Sequence, residues 1–217
     1  MSRGKEISPP PVQSRLISEK MDVKNAPPGS VVKPPSAILR VMAEFNHLKN
    51  LYRQGWLKRN VPREKCESVG DHSFAVALLA MFLAENLFPR TDLLKTIRIA
   101  LIHEAGEIHT GDITPVDGVS AEEKHRREKE SVLRVFSGMP RAEEYIALWE
   151  EFELNRSPEA KLVRQADRLE MLLQAKYYEH LGYWNFEEFF ENADGQIDLP
   201  ELRPLFEELR RLGKSDE

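Results

Sequence analysis

From Ser36 onward the apolar residues recur every three or four positions, with almost no β-type alternation. Pro, Gly or Asn separates one periodic stretch from the next. The pattern predicts helices over about residues 36–53, 69–88, 91–109, 120–137, 140–154, 157–181, 186–193 and 200–212, and so an all-α helical bundle. Two helix starts are well signed. Ser68 and Asp71 form a Ser-x-x-Asp arrangement resembling a capping box, and Ser157-Pro158 sets a cap residue and a first-turn proline ahead of a long apolar pattern. Before Ser36 the pattern is lost. Half of the 14 prolines fall there, at Pro9, Pro10, Pro11, Pro27, Pro28, Pro34 and Pro35, a density that prevents regular helix or central strand. The chain therefore reads as a flexible, Pro-rich tail over residues 1–35 and one domain over 36–217, with no internal repeats.

Composition narrows the function classes. At 217 residues the chain can bury a sizeable single core. With 31% charged residues but a net charge of −5, it lacks the global basic field that binds nucleic acid polymers, so its expected partner is a small molecule. The single cysteine, Cys66, excludes an internal disulfide framework. No apolar run approaches the roughly 20 residues that cross a bilayer. These features predict a soluble, cytoplasmic protein without a membrane partner. Arg3, Lys5 and Glu6 lie at the N-terminus without an apolar segment, which argues against a secretory signal and leaves a transit peptide open.

Candidate chemistry sits on three of the predicted helices. His72 lies in the first turn of SVGDHSFAVALLAMFLAENLF, and Val76, Leu79 and Leu83 continue its face at spacings of four, three and four, so His72 points toward the core. A hydrogen-bonded core histidine would do the same, and a ligand role needs companions. His103 and Glu104, in IRIALIHEAGEIHTGDI, are consecutive; successive helical residues diverge by about 100°, so an imidazole and a carboxylate can converge on one ion. The alternative is a helix end with one solvated side chain. Asp167, in KLVRQADRLEMLLQA, shares a stripe with Val163 and Glu170 among Leu162, Ala166, Leu169 and Leu173, where an acid needs a partner. That partner is either a metal held with the histidines or the neighbouring Arg168. His72, His103, Glu104 and Asp167 make a mixed N/O donor set suited to one divalent ion per chain, with Mn, Co, Zn, Fe and Mg all open.

The segments ESVGDHSF, ALIHEAGEIHTGDITPVDG, KHRREKES, LWEEFE and KLVRQADRLEMLLQA, in this order and at these separations, resemble the 5'-deoxynucleotidase branch of the HD-domain phosphohydrolases. The likeness runs from about Ile38 to Tyr183. It implies an HD-domain helical bundle with a metal site between helices, in which His72, His103, Glu104 and Asp167 are the ligands. Glu104 stands where the family's His-Asp pair has Asp. The family's catalytic acids fall on Glu107 and Asp112, and RQGWLKRNV matches its substrate segment, assigning Arg53 to the phosphate and Trp56 to the sugar or base. The implied reaction is hydrolysis of the 5'-phosphate of a nucleoside monophosphate by activated water, and the implied assembly is a homodimer.

Residue chemistry supports those roles separately. Glu107 follows His103 by four residues and Glu104 by three, so it projects from the same helical face, one turn on, within reach of an activated water. Asp112 follows Thr110-Gly111, where the helix is expected to end and turn the acid back to protonate a leaving oxygen. Arg53 supplies a guanidinium fork suited to a phosphate monoester. The plainer alternatives are a solvated helix acid and a turn aspartate, and, for the whole protein, an HD phosphodiesterase of another phosphate ester or a nucleotide-binding module weakened by Glu104.

Other features invite discounting. NADGQIDLPE imitates a calcium loop, but Phe190 falls where its first acidic ligand is required. Cys66 has no partner base, and His109 and His125 read as surface histidines. The run AEEKHRREKE reads as a solvated helix face.

Overall fold

Ser68 begins the central helix as its sequence predicts: its hydroxyl accepts from the Asp71 N–H at 3.1 Å, while Asp71 accepts from the Ser68 N–H at 2.9 Å. Ser157 caps a second long helix with Pro158 in its first turn. Caps of this kind contribute about 1 kcal/mol each by satisfying N–H groups that have no partner within the helix. The computed structural model describes residues 36–213, so the tail expected over residues 1–35 lies outside them. Among the described residues the helices are α1 (Ala37–Phe45), α2 (Gln54–Leu57), α3 (Val69–Asn86), α4 (Leu93–Ile102), α5 (Glu107–Thr110), α6 (Ala121–Phe136), α7 (Ala142–Glu153), α8 (Pro158–His180), α9 (Glu187–Asp194) and α10 (Arg203–Arg211). No strand occurs there; Tyr52 and Ser68 form an isolated antiparallel bridge. The all-α expectation holds.

Helices α3, α4 and α8 pack against one another and build the core from Val76, Ala80, Ile99, Leu162, Ala166 and Leu169. Helix α7 closes on α4 and α8, α6 lies along the segment after α4, and α9 and α10 rest on α8. A second, aromatic cluster of Trp56, Tyr178 and Phe186 ties α2 to the C-terminal half of α8. His72 lies in the first turn of α3 and Asp167 near the middle of α8.

One departure from the predicted elements matters. The single helix expected over 91–109 is α4, then a 3₁₀ turn at His103–Gly106, then α5. The His103 imidazole itself bonds the Ala100 carbonyl at 2.7 Å, the group that a continuing α-helix would offer to the Glu104 N–H. In the tighter turn, residues three apart eclipse, which aligns Glu104 with Glu107. Gly106 permits the turn to lie flat on α6, because a Cβ there would meet Glu128 Cβ at 2.7 Å. Gly106→Ala is therefore expected to cost about 1–3 kcal/mol as overpacking, read as a lowered urea midpoint. An unchanged midpoint would show that α6 yields without penalty.

Candidate metal and substrate site

His72 has no exposed surface, and its Nδ1 donates to Glu170 Oε2 at 2.6 Å. His103, 3% exposed, donates Nδ1–H to Ala100 O. These two bonds turn both Nε2 atoms inward, and the rings stand 5.6 Å apart, centre to centre. Glu104 Oε1 lies 3.6 Å from each Nε2. Asp167 Oδ1 lies 3.1 Å from His72 Nε2. Asp167 and Glu170, three apart on α8, thus address opposite nitrogens of one imidazole. Arg168 is not the partner of Asp167, since its Nε donates to Gln196 Oε1 at 3.0 Å.

The donor set fits a divalent cation. Nε2 of His103 is buried without a hydrogen bond, an arrangement that costs about 1–3 kcal/mol unless another group engages it, while Nε2 of His72 has only the Asp167 carboxylate before it. One donor atom each from His72, His103 and Glu104 lies within 4.8 Å of the other two. The outer hydrogen bonds of both rings hold the Nε2 atoms toward one space, where loss of the His72 proton would free a lone pair for a cation. Around Arg53 cluster Glu104, Asp112, Glu107 and Asp167. Burial opposes the Arg53 charge, but these four carboxylates outweigh it and hold the guanidinium firmly protonated. Even with Glu107 pushed toward its neutral form, the other acids outnumber the one guanidinium, a balance that suits a cation.

The remaining expected residues line one cavity of about 590 Å³, together with His103, Glu104 and Asp167. Arg53 Nη1 donates to Glu104 Oε1 at 3.1 Å. Asp112, which lines the cavity, accepts the Gln54 backbone N–H at Oδ2. Glu107 is buried with Oε2 unpartnered. Burial, then the carboxylates of Glu104 and Asp112, push Glu107 well above the usual carboxylate range. A carboxyl raised in this way is suited to proton transfer. Trp56 contributes to the cavity wall but is only 2% exposed; its indole N–H donates to Glu67 Oε1 at 2.7 Å and its ring stacks on Phe189.

Three participants escaped the sequence reading. Glu67, behind His72, is pushed up to about 7 by burial and by Glu170, against which His72, Trp56 and Arg53 act. Lys124 and Glu128, inside the run read as a solvated face, turn into the cavity instead. Glu128 is buried, which raises it to about 7 despite Lys124. Their signal was the four-residue spacing that sets them on one stripe with Ser131, Val132 and Val135, all buried. In the calcium-like segment, Phe190 is wholly buried and Asp194 pairs with Arg203.

A family model described as HD domain matches residues 45–205. The chain belongs to the HD-domain family. The HD-domain relatives include 5'-deoxynucleotidase HDDC2 of Mus musculus, 39% identical over 80% of this chain and 87% of the relative, and 5'-deoxynucleotidase YBR242W of Saccharomyces cerevisiae, 35% identical over 78% and 72%. Among solved structures, a conserved hypothetical protein from Pyrococcus furiosus superposes with TM-score 0.68 at 33% identity over 80% of this chain and 99% of that one. No described helix of this HD-domain chain is long and apolar enough to cross a membrane.

Before any cation binds, His72 is expected to hold a proton at neutral pH. Burial and Arg53 lower the His72 pKa, but Asp167 and Glu170 prevail and raise it from 6.5 to about 9. A raised pKa stabilises the metal-free fold fully below about pH 6.5, and that contribution is lost as pH rises through 9. Cation uptake at pH 7.5 is therefore expected to release about one proton from His72, with affinity rising toward pH 9. Calorimetry in buffers of different ionisation enthalpy measures this. An uptake enthalpy independent of the buffer would contradict it.

Proposed function

We propose that this HD-domain protein is a metal-dependent 5'-nucleotidase that hydrolyses nucleoside monophosphates, deoxyribonucleotides foremost. One juxtaposition carries the reading: inward Nε2 atoms of two buried histidines beside Glu104 and Asp167, with Arg53, Glu107 and Asp112 on the same cavity wall. The curated relatives named 5'-deoxynucleotidase support the substrate class. His72, His103, Glu104 and Asp167 would hold a divalent cation, whose Lewis acidity polarises a phosphoryl oxygen and activates water.

The chain's own groups then divide the work. Arg53 binds the phosphoryl oxygens, its guanidinium already fixed by Glu104. Glu107 takes the proton of the attacking water as the new O–P bond forms. Asp112, oriented by the Gln54 N–H, gives a proton to the 5'-oxygen as the P–O bond breaks, so that deoxynucleoside and phosphate leave. Trp56, locked among Phe189, Phe186 and Tyr178, offers a rigid wall to the sugar. Glu104 supplies the carboxylate of the family's Asp on a side chain one methylene longer.

Phosphate release from deoxy- and ribonucleoside monophosphates with Mn, Co, Zn or Mg tests this. Turnover of deoxynucleotides is expected, with Glu107→Gln slower by about 10²–10⁴ and Glu104→Asp at least as fast as the parent. No turnover with any metal sinks the reading, and an unaffected Glu107→Gln removes the base.

The homodimer belongs to the same proposal. Phe74, Leu78 and Phe82 recur every fourth residue on the exposed side of α3, and Leu173 and Tyr177 do so on the adjoining α8. An apolar exposed face of this kind suits a second copy. Light scattering is expected to give twice the chain mass, and a monomer at micromolar concentration would refute it.

A further inference from the structure

Six cationic side chains line the cavity: Arg53, Lys58, Arg59, Lys124, Arg164 and Arg168. Five are tied down. Arg53 bonds Glu104, Lys58 holds Thr114 and Asp117 at 2.6 and 2.7 Å, and Arg59 pairs with Glu188 at 2.7 Å. Arg164 caps the Phe152 carbonyl at 2.7 Å and Arg168 bonds Gln196 at 3.0 Å. Lys124 differs. Its ammonium stands 3.5 Å from Glu128 Oε1, a contact at ion-pair distance rather than a tight hydrogen bond.

Placement adds to this. Lys124 lies in the first turn of α6, and α6 packs on the His103–Gly106 turn and on α5, which carry Glu104 and Glu107. Arg53 approaches the same two acids from the segment entering α2. Glu107 and Glu104 act on both cations, and with Glu128 they keep Lys124 charged against the effect of burial. A lysine stem allows the ammonium to travel several ångströms by rotamer change, which the tethered arginines cannot do without breaking a bond.

We propose that Lys124 is a second phosphate-binding cation of this site, its ammonium leaving Glu128 to pair with the phosphate that Arg53 holds from α2. The inference rests on the phosphomonoesterase reading, yet the two fail separately. Absence of turnover on every monophosphate sinks the reading; the affinity for inorganic phosphate decides Lys124.

Inorganic phosphate is titrated into the manganese-loaded full chain by calorimetry, with metal content and unfolding midpoint checked for each variant. Lys124→Met is expected to weaken phosphate about tenfold or more, the scale of one lost charge-assisted hydrogen bond. Lys124→Arg is expected to recover most of that loss. In turnover assays KM for a deoxynucleotide rises by a similar factor while kcat changes less. Phosphate affinity and KM within twofold of the parent in metal-loaded Lys124→Met overturn the proposal, as does a parent protein that binds no phosphate. Should Lys124→Met fail to fold, Glu128→Gln carries the test: releasing the ammonium is expected to tighten phosphate binding, and unchanged or weaker binding overturns it.

Discussion

Burying an imidazole costs free energy unless both nitrogens are engaged, and wholly buried His72 is held between two carboxylates of α8, Glu170 at Nδ1 and Asp167 at Nε2. That arrangement constrains much else. It requires α8 to lie against the first turn of α3 with Glu170 behind the ring and Asp167 before it. It leaves Nε2 facing a space where a cation is the natural complement. His103 repeats the device with a backbone carbonyl in place of a carboxylate. Two rings, each held from behind, turn their Nε2 atoms to one point, and Glu104 stands 3.6 Å from both.

Electrostatics around that point are graded rather than uniform. Asp167 is held far below the usual carboxylate range: burial opposes its charge, but His72, His103 and Arg53 outweigh burial. Glu104 is likewise lowered, with His103 foremost among the groups that overcome burial. Glu107, three residues farther along the same segment, is driven the other way by burial and then by its acidic neighbours Glu104 and Asp112. Low-pKa carboxylates suit metal binding, and a raised one suits proton exchange. One short stretch, His103 to Asp112, therefore contributes two kinds of acid. Its 3₁₀ geometry and the absence of a Cβ at Gly106 bring that stretch against α6.

Much of this was legible in the chain. The helices follow from apolar spacing, and both signed caps form as written. His72, His103 and Glu104 come together, with Asp167 beside His72, because each lies on the inward stripe of its helix and that stripe has one core to face. The charged run on α6 was misread for a related reason: in a stretch this polar, Lys124 and Glu128 carry the same letters whether they face water or a polar cavity. Trp56 was read through its resemblance, and its burial in an aromatic cluster depends on Phe186 and Phe189, more than 120 residues away.

Local sequence determined where helices begin, which faces are apolar and which donor atoms are available, since caps and periodicity act over a few residues. Tertiary structure alone decided that Asp167 serves His72 rather than Arg168, that the helix after Ile102 tightens, and that Lys124 shares a cavity with Arg53. These depend on which distant group arrives first at a buried polar atom. Unsatisfied nitrogen in a close-packed interior admits few partners, and only the packed fold selects among them.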